Sequence, residues 1–259
     1  MKILVTGHRG FIGSHLYKEA QRRGHDVVGL DRKTGQSLLK CDLPNDVKKV
    51  YHLAANANAQ SSDISAIIED NIASSARLFA HYGPKLVFAS SAAVNYPYTP
   101  YAISKRTCED LARIYGCAIV RLPNVYGEGG HSCWDKFREG SEFVFYGSGE
   151  QLRSYVAVEY AVNALLDAQP GDECLVQGED LTVVQVSGKF HADGKLVVHE
   201  KARAFDIMDG RQIMGEGRYV APNRDDVTWA RDRVQTEKLK PDDPNYAYQQ
   251  ANPPADWIK

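Results

Sequence analysis

MKILVTGHRGFIGSHL, residues 1–16, is the stretch whose reading decides the fold of this chain. Ile3-Leu4-Val5 is a short apolar run of the kind that fills a buried parallel strand. It breaks at once into Gly7-His8-Arg9-Gly10-Phe11-Ile12-Gly13, and a helical pattern follows. A strand, a glycine-rich turn and a helix start are what holding a pyrophosphate requires. Glycines let the backbone approach the phosphates, and the helix N-terminus offers N–H donors with partial positive charge. The spacing is GxxGxxG, not GxGxxG, and a glycine triplet alone is equally an ordinary tight turn. Its place directly after an N-terminal strand points to a dinucleotide.

Outward from this turn, apolar runs alternate with amphipathic stretches through the first half of the chain. Strands are expected at 2–6, 26–30, 37–41, 49–54, 85–90 and 117–121, and helices at 11–23, 64–82 and 101–115. Such alternation predicts an α/β fold, a doubly wound parallel sheet. Past about Gly127 glycine, tyrosine and charge become frequent and the strands shorter. We therefore expect a dinucleotide-binding domain over 1–127, with a returning segment near 154–178 that includes a strand near 172–177. A smaller C-terminal substrate lobe and tail would span 128–259. The tail from Lys240 is rich in proline and polar residues. It is expected to wrap the surface or to be partly disordered.

The chain has 259 residues and a net charge of −2, which does not favour nucleic acid or an anionic membrane surface as partner. Its five cysteines are scattered without a CxxC pair, and its eight histidines show no ligand spacing. No metal is expected, and the thiols read as reduced. No apolar run approaches the roughly 18 residues of a membrane span. Strand one begins at residue 2, so no signal peptide is expected, and the cytoplasm is the expected compartment.

Val27-Val28-Gly29-Leu30-Asp31 ends the second strand in an acid about twenty residues past the glycine turn, where a carboxylate can accept both ribose hydroxyls of NAD. Arg32 and Lys33 follow, and a guanidinium there can welcome the 2′-phosphate of NADP, so NADP stays open. Farther on, Tyr101-Ala102-Ile103-Ser104-Lys105 places a phenol and an ammonium on one helix face. The plainer reading of YxxxK is a surface pair. What raises it is the preceding apolar run Val87-Phe88-Ala89-Ser90-Ser91, whose end would open onto the cofactor crevice. Ser91 would bond a substrate oxygen and Tyr101 would exchange its proton. Lys105 would draw the tyrosine pKa down toward working pH.

With these residues in place the chain resembles the extended short-chain dehydrogenase/reductases, in particular the NAD-dependent epimerase/dehydratase family that acts on nucleotide sugars. The likeness runs from Met1 to about Ala168, with weaker traces to about Gly178. It includes GHRGFIGSHL, Asp31, Cys41-Asp42-Leu43, His52-Leu53-Ala54-Ala55, Asn71, FASSAAV, PYAISK, RLPNVYG and YGSGEQLRSYVAVEYAV. The resemblance implies that Gly7, Arg9, Gly10, Phe11, Ile12 and Gly13 lie at the pyrophosphate, Asp31 and Arg32 at the adenosine ribose, and Asp42 and Leu43 along the adenine. Leu53, Ala54, Ala55, Ala89 and Leu122 would line the cofactor cleft. Ser91, Tyr101 and Lys105 would be catalytic, with Tyr101 and Lys105 also touching the cofactor. Ser91, Asn124 and Arg153 would bind substrate, Arg153 clamping the diphosphate of a nucleotide sugar.

The family's 4,6-dehydratases carry an Asp-Glu pair where this chain has Ala92 and Ala93. Ala93 also stands where a GDP-fucose-synthase-like enzyme has its cysteine. A nucleotide-sugar 4-epimerase needs only Ser, Tyr, Lys and NAD, and is the first expectation. An NAD(P)H-dependent 4-keto nucleotide-sugar reductase is the alternative. A non-catalytic NAD-binding regulatory module is a third reading, because the Ser91-to-Tyr101 connection is short and Asn95 replaces the family's usual tyrosine. The helices near 64–82 and 101–115 match those that pair subunits through a four-helix bundle, so a homodimer is expected. Ala73, Ala76, Ala80, Ala102 and Ala112 would permit close approach there, or packing against the sheet.

Overall fold

A computed structural model describes residues 1–57, 63–95, 99–139, 144–146, 152–190 and 197–199. The chain divides into two compact units, 1–219 and 220–259. The second unit, and with it the tail from Lys240, lies outside the described residues.

The first unit is built on a six-stranded parallel sheet. Strand β1 (Lys2–Thr6) lies between β2 (Asp26–Leu30) and β3 (Lys49–His52), and the order continues through β4 (Leu86–Ser91), β5 (Ala118–Leu122) and β9 (Glu173–Leu175). Every neighbouring pair is parallel. The chain winds outward from β1 to β2 and then crosses back to β3. The strand order therefore reverses beside β1, and a crevice opens at the carboxyl ends of β1 and β3. The strand expected near 172–177 is β9, paired with β5.

Helix α1 (Phe11–Arg22) and helix α6 (Val158–Asp167) cover one face of the sheet. Their Leu16, Ala20, Val162 and Leu165 pack on Ile3, Val5, Val87 and Val120. The other face is covered by α3 (Ser74–Tyr82) and α4 (Pro100–Ile114), with Leu78, Phe79, Cys108 and Ala112 against Leu4, Val50, Phe88 and Ile119. Strand side chains point alternately to the two faces, so a sheet covered on both reads as a continuous apolar run. Helix α4 starts where Pro100 takes the first helical position and Thr99 accepts the Ala102 N–H at 3.1 Å. The helix expected over 64–82 is a short α2 (Ile64–Ile67), a π-helical segment (Ile68–Ala73) and α3 in succession.

The strand expected at 37–41 does not form. Lys40 and Cys41 donate their N–H groups back to the Ser37 carbonyl, closing turns, and Arg77 holds the carbonyls of Leu38 and Cys41. Leu38 and Leu43 are buried with the α3 side of the core, which satisfies their apolar surface without pairing to β2. β3 likewise stops at His52, and Leu53–Ala55 line the crevice instead.

After Gly127 come α5 (Cys133–Arg138), β7 (Val144–Tyr146), β8 (Leu152–Ala157), β10 (Glu179–Thr182), α7 (Val183–Phe190) and β11 (Val197–His199). Strand β8 pairs antiparallel with β10 and parallel with β6 (Asn124–Tyr126), while β7 and β11 form a parallel pair. A separate small core gathers Cys133, Trp134, Phe137, Tyr155, Val183 and Val186. Among the described residues no helix is long and apolar enough to cross a membrane, and no group of His, Cys, Asp or Glu is arranged to hold a metal ion.

Candidate active site

Two adjoining cavities occupy the crevice and share Gly7, Gly10, Leu53 and Ala55. One, about 400 Å³, is walled by Asp31, Arg32, Lys33, Gln36–Leu39, Asn56 and Asp70. The other, about 350 Å³, is walled by Phe11, Ile12, Gly13, Ala89, Ser91, Tyr101, Lys105 and Leu122. The crevice thus joins the end of β2 to the end of β4 across the glycine turn.

The turn is tight by necessity. Gly7 has φ +73°, and a Cβ there would lie 2.7 Å from the Ala54 nitrogen. A Cβ on Gly13 would meet the Gly7 carbonyl oxygen at 2.1 Å. The first turn of α1 has no side-chain cap and no acid, leaving its N–H groups to the crevice. Arg9 contributes through its backbone, whose N–H reaches Asp31 Oδ2 at 2.9 Å. Asp31 is buried, and its Oδ1 accepts the Lys33 N–H at 2.8 Å. Asp42 is exposed and Leu43 sits in the core, and neither lines the crevice. Gln36–Leu39 form that wall instead.

Ser91, Tyr101 and Lys105 line the same cavity. Lys105 is buried and donates to the Ala89 carbonyl at 2.8 Å, with Nζ 4.6 Å from the centroid of the Phe88 ring and 6.0 Å from that of Tyr101. Burial lowers its pKa to about 8, with the neighbouring Cys108 and Glu109 opposing. The Tyr101 phenol departs from the sequence expectation. Burial pushes its pKa up, and the opposing influence is a hydrogen bond with Ser91. The cost of desolvating a phenolate outweighs the attraction of an ammonium this far from the ring. Asn124 lies on β6 and gives its amide to the Ser154 carbonyl at 3.1 Å, while Arg153 lies on the adjacent β8.

Against known proteins, the family model described as NAD dependent epimerase/dehydratase matches residues 3–173. That is well over half of the chain. The chain belongs to the NAD-dependent epimerase/dehydratase family. It is 29% identical over 223 residues to a putative UDP-glucose 4-epimerase of Methanocaldococcus jannaschii, covering 64% of this chain and 72% of that protein. A UDP-N-acetyl-alpha-D-glucosaminuronate decarboxylase of Bacillus cytotoxicus is 30% identical over 241 residues, 70% of this chain and 74% of that one. The fold is shared with the UDP-glucuronic acid 4-epimerase of Bacillus cereus, solved with UDP-glucuronic acid and NAD. The TM-score is 0.68 at 22% identity, over 77% of this chain and 85% of that one.

In this epimerase/dehydratase chain Glu109 was not singled out from the sequence, and His52 and Asn71 stood in the resemblance without a role. Buried Glu109 accepts from Ser90 Oγ at 2.6 Å and from Arg121 at 2.8 and 2.6 Å, tying α4 to β4 and β5. Its spacing carried a signal, since Tyr101, Lys105 and Glu109 recur every four residues along α4. Buried His52 bridges Thr6 Oγ1 at 2.7 Å and Ser75 Oγ at 2.9 Å, and burial lowers its pKa to about 3. Asn71, in the π-helical segment, donates to the Asn56 carbonyl at 3.1 Å and to Ser104 Oγ at 2.9 Å. Ser104 in turn donates to the Tyr101 carbonyl at 2.7 Å.

Proposed function

We propose that this chain is an NAD-dependent nucleotide-sugar 4-epimerase, moving a hydride reversibly at the sugar C4 through a 4-keto intermediate. One observation carries the reading. A phenol, a strand-end hydroxyl and an ammonium line one cavity, and a glycine turn joins it to a second cavity ending at Asp31. The cradle fits a dinucleotide, because the tight turn at Gly7 and Gly13 sets an uncapped, acid-free helix N-terminus against the crevice, where its N–H groups can meet a pyrophosphate. Gly7, Gly10, Phe11, Ile12 and Gly13 would hold the pyrophosphate, Asp31 the adenosine ribose, and Leu53, Ala54, Ala55, Ala89 and Leu122 the cleft walls. NAD, when bound, supplies the hydride acceptor and donor.

The chain's own residues handle the proton. Tyr101 Oη takes the proton of the sugar 4-hydroxyl as the ketone forms, and gives it back when the ketone is reduced from its other face. Burial keeps the phenol protonated, which suits the return half. For the half that needs phenolate, the hydrogen bond from Ser91 works against the burial cost, and the Lys105 ammonium, 6.0 Å from the ring centroid, adds a weaker attraction. Ser91 holds the phenol and the substrate oxygen in line. Asn124 and Arg153, on adjacent strands, would anchor the nucleotide diphosphate while the keto sugar turns. Among the described residues this cavity presents no carboxylate, and Ala92 and Ala93 follow Ser91, which supports epimerisation over dehydration.

The test is mass spectrometry of the dinucleotide that copurifies, followed by a screen of UDP-, GDP- and dTDP-sugars with wild type and Tyr101→Phe. Bound NAD and interconversion of C4 epimers are expected, with turnover lost by about 10²–10⁴-fold in the variant. Net consumption of added NADPH with a keto sugar would instead make the chain a reductase. Turnover unaffected by Tyr101→Phe would overturn the catalytic assignment.

We further propose a cytoplasmic homodimer paired through α2–α3 and α4. Exposed Ile64, Ile68 and Ile103 supply the apolar surface that supports this, whereas Ala102 and Ala112 are buried within the chain. Light scattering that finds monomer alone would refute it.

A further inference from the structure

The sequence left NAD and NADP both open, because Asp31 argues for one and Arg32 for the other. The structure adds a third residue. Arg32 Nη1 donates to Asp70 Oδ2 at 2.8 Å, joining the end of β2 to the π-helical segment 38 positions later. Both residues line the cavity that ends at Asp31. The same Asp70 oxygen accepts Asn56 Nδ2 at 3.3 Å, and Asn56 lies on the wall that follows β3. Asp70 is thereby held facing the crevice while its neighbour Asn71 is buried.

We propose that Asp70, by holding Arg32 across the cavity, makes this site prefer NAD to NADP. The inference rests on reading the cleft as a dinucleotide site and deepens it. A 2′-phosphate carries about −1.5 to −2 charges, as a phosphomonoester does at neutral pH, and needs a free guanidinium edge. Here Nη1 of that guanidinium is given to the Asp70 carboxylate, which fixes its direction and offsets its charge. Asp31 and Asp70 balance Arg32 and Lys33, so this end of the cavity offers an incoming phosphate no net positive charge. Asp31 has both oxygens on backbone N–H groups and cannot turn away. Asp70→Asn would leave one positive charge in excess and release Arg32. The Arg32 side chain is 68% exposed and that of Asp70 35%, so their ion pair adds little to folding and the variant folds.

The experiment measures equilibrium binding of NAD⁺ and NADP⁺ to the full chain, as wild type, Asp70→Asn, Arg32→Ala and the double variant. Wild type is expected to prefer NAD⁺. Asp70→Asn should raise the ratio of NADP⁺ to NAD⁺ affinity about tenfold, with a steeper salt dependence for NADP⁺. The double variant should lose that gain, because the released partner is gone. An unchanged ratio in Asp70→Asn overturns the proposal, as does an equal gain with Arg32 absent or a wild type that prefers NADP⁺. Binding of neither dinucleotide by wild type overturns the reading of the cleft itself.

Discussion

Replacing Glu109 with Gln tests whether a buried charge behind the crevice holds α4 against β4 and β5. Glu109 is wholly buried. Its Oε1 accepts Ser90 Oγ at 2.6 Å and Arg121 Nε at 2.8 Å, and its Oε2 accepts Arg121 Nη2 at 2.6 Å and Arg113 Nη2 at 3.1 Å. Glutamine keeps the shape but turns one acceptor into an N–H donor aimed at guanidinium donors. Breaking a buried pair by removing one partner costs about 3–5 kcal/mol. Arg121 keeps a second carboxylate, Glu173, at the more exposed rim. The loss should therefore fall near the low end, about 3 kcal/mol. Against a total of about 5–15 kcal/mol the chain stays folded. A domain of this size loses about 2–4 °C per kcal/mol, so Tm should fall by about 6–12 °C. Thermal and urea unfolding followed by circular dichroism, on Glu109→Gln, Arg121→Met and the double variant, measures it. The double variant should be less destabilised than the sum of the singles by about 1 kcal/mol or more. A Glu109→Gln chain melting within about 2 °C of wild type, or strictly additive losses, would show that the pair contributes no more than a surface contact.

Lys105 is buried, with its pKa lowered to about 8 from the ordinary 10.5. Dinucleotide affinity should therefore fall as pH rises through about 8, where the ammonium charge is lost, and Lys105→Met should flatten that step; a flat wild-type titration refutes it. For stability the sign is opposite. From about 8 to 10.5 the unfolded chain holds the proton that the folded chain has released, so this group's contribution rises with pH across that window. Gly13→Ala puts a Cβ 2.1 Å from the Gly7 carbonyl oxygen. The usual helical gain from alanine, about 0.5–1 kcal/mol, should be overridden by a clash of about 1–3 kcal/mol, lowering Tm and weakening dinucleotide binding together. A variant melting above wild type would show that the turn has slack.

Much of this molecule was legible along the chain, and the reason is locality. A strand, glycine turn and helix are set by neighbouring residues, so α1 runs from Phe11 as expected, directly after the glycine turn. Periodicity placed Tyr101 and Lys105 on one helix face, and an apolar run ending in Ser91 placed the strand beside them. Where the reading departed, a distant partner decided. Ser37–Cys41 had strand composition, but Arg77 and the α3 side of the core draw it into turns. The direction of the Tyr101 shift depends on how deeply the phenol is buried, which residues four apart do not reveal. Arg32 meets Asp70, and Glu109 meets Arg121, only because the chain crosses back beside β1 and returns along β5. Sequence by itself determined the local elements and the types of group that could act. Burial, charge pairing and the direction of proton affinity were left to the tertiary structure, because each sums over neighbours that only folding brings together.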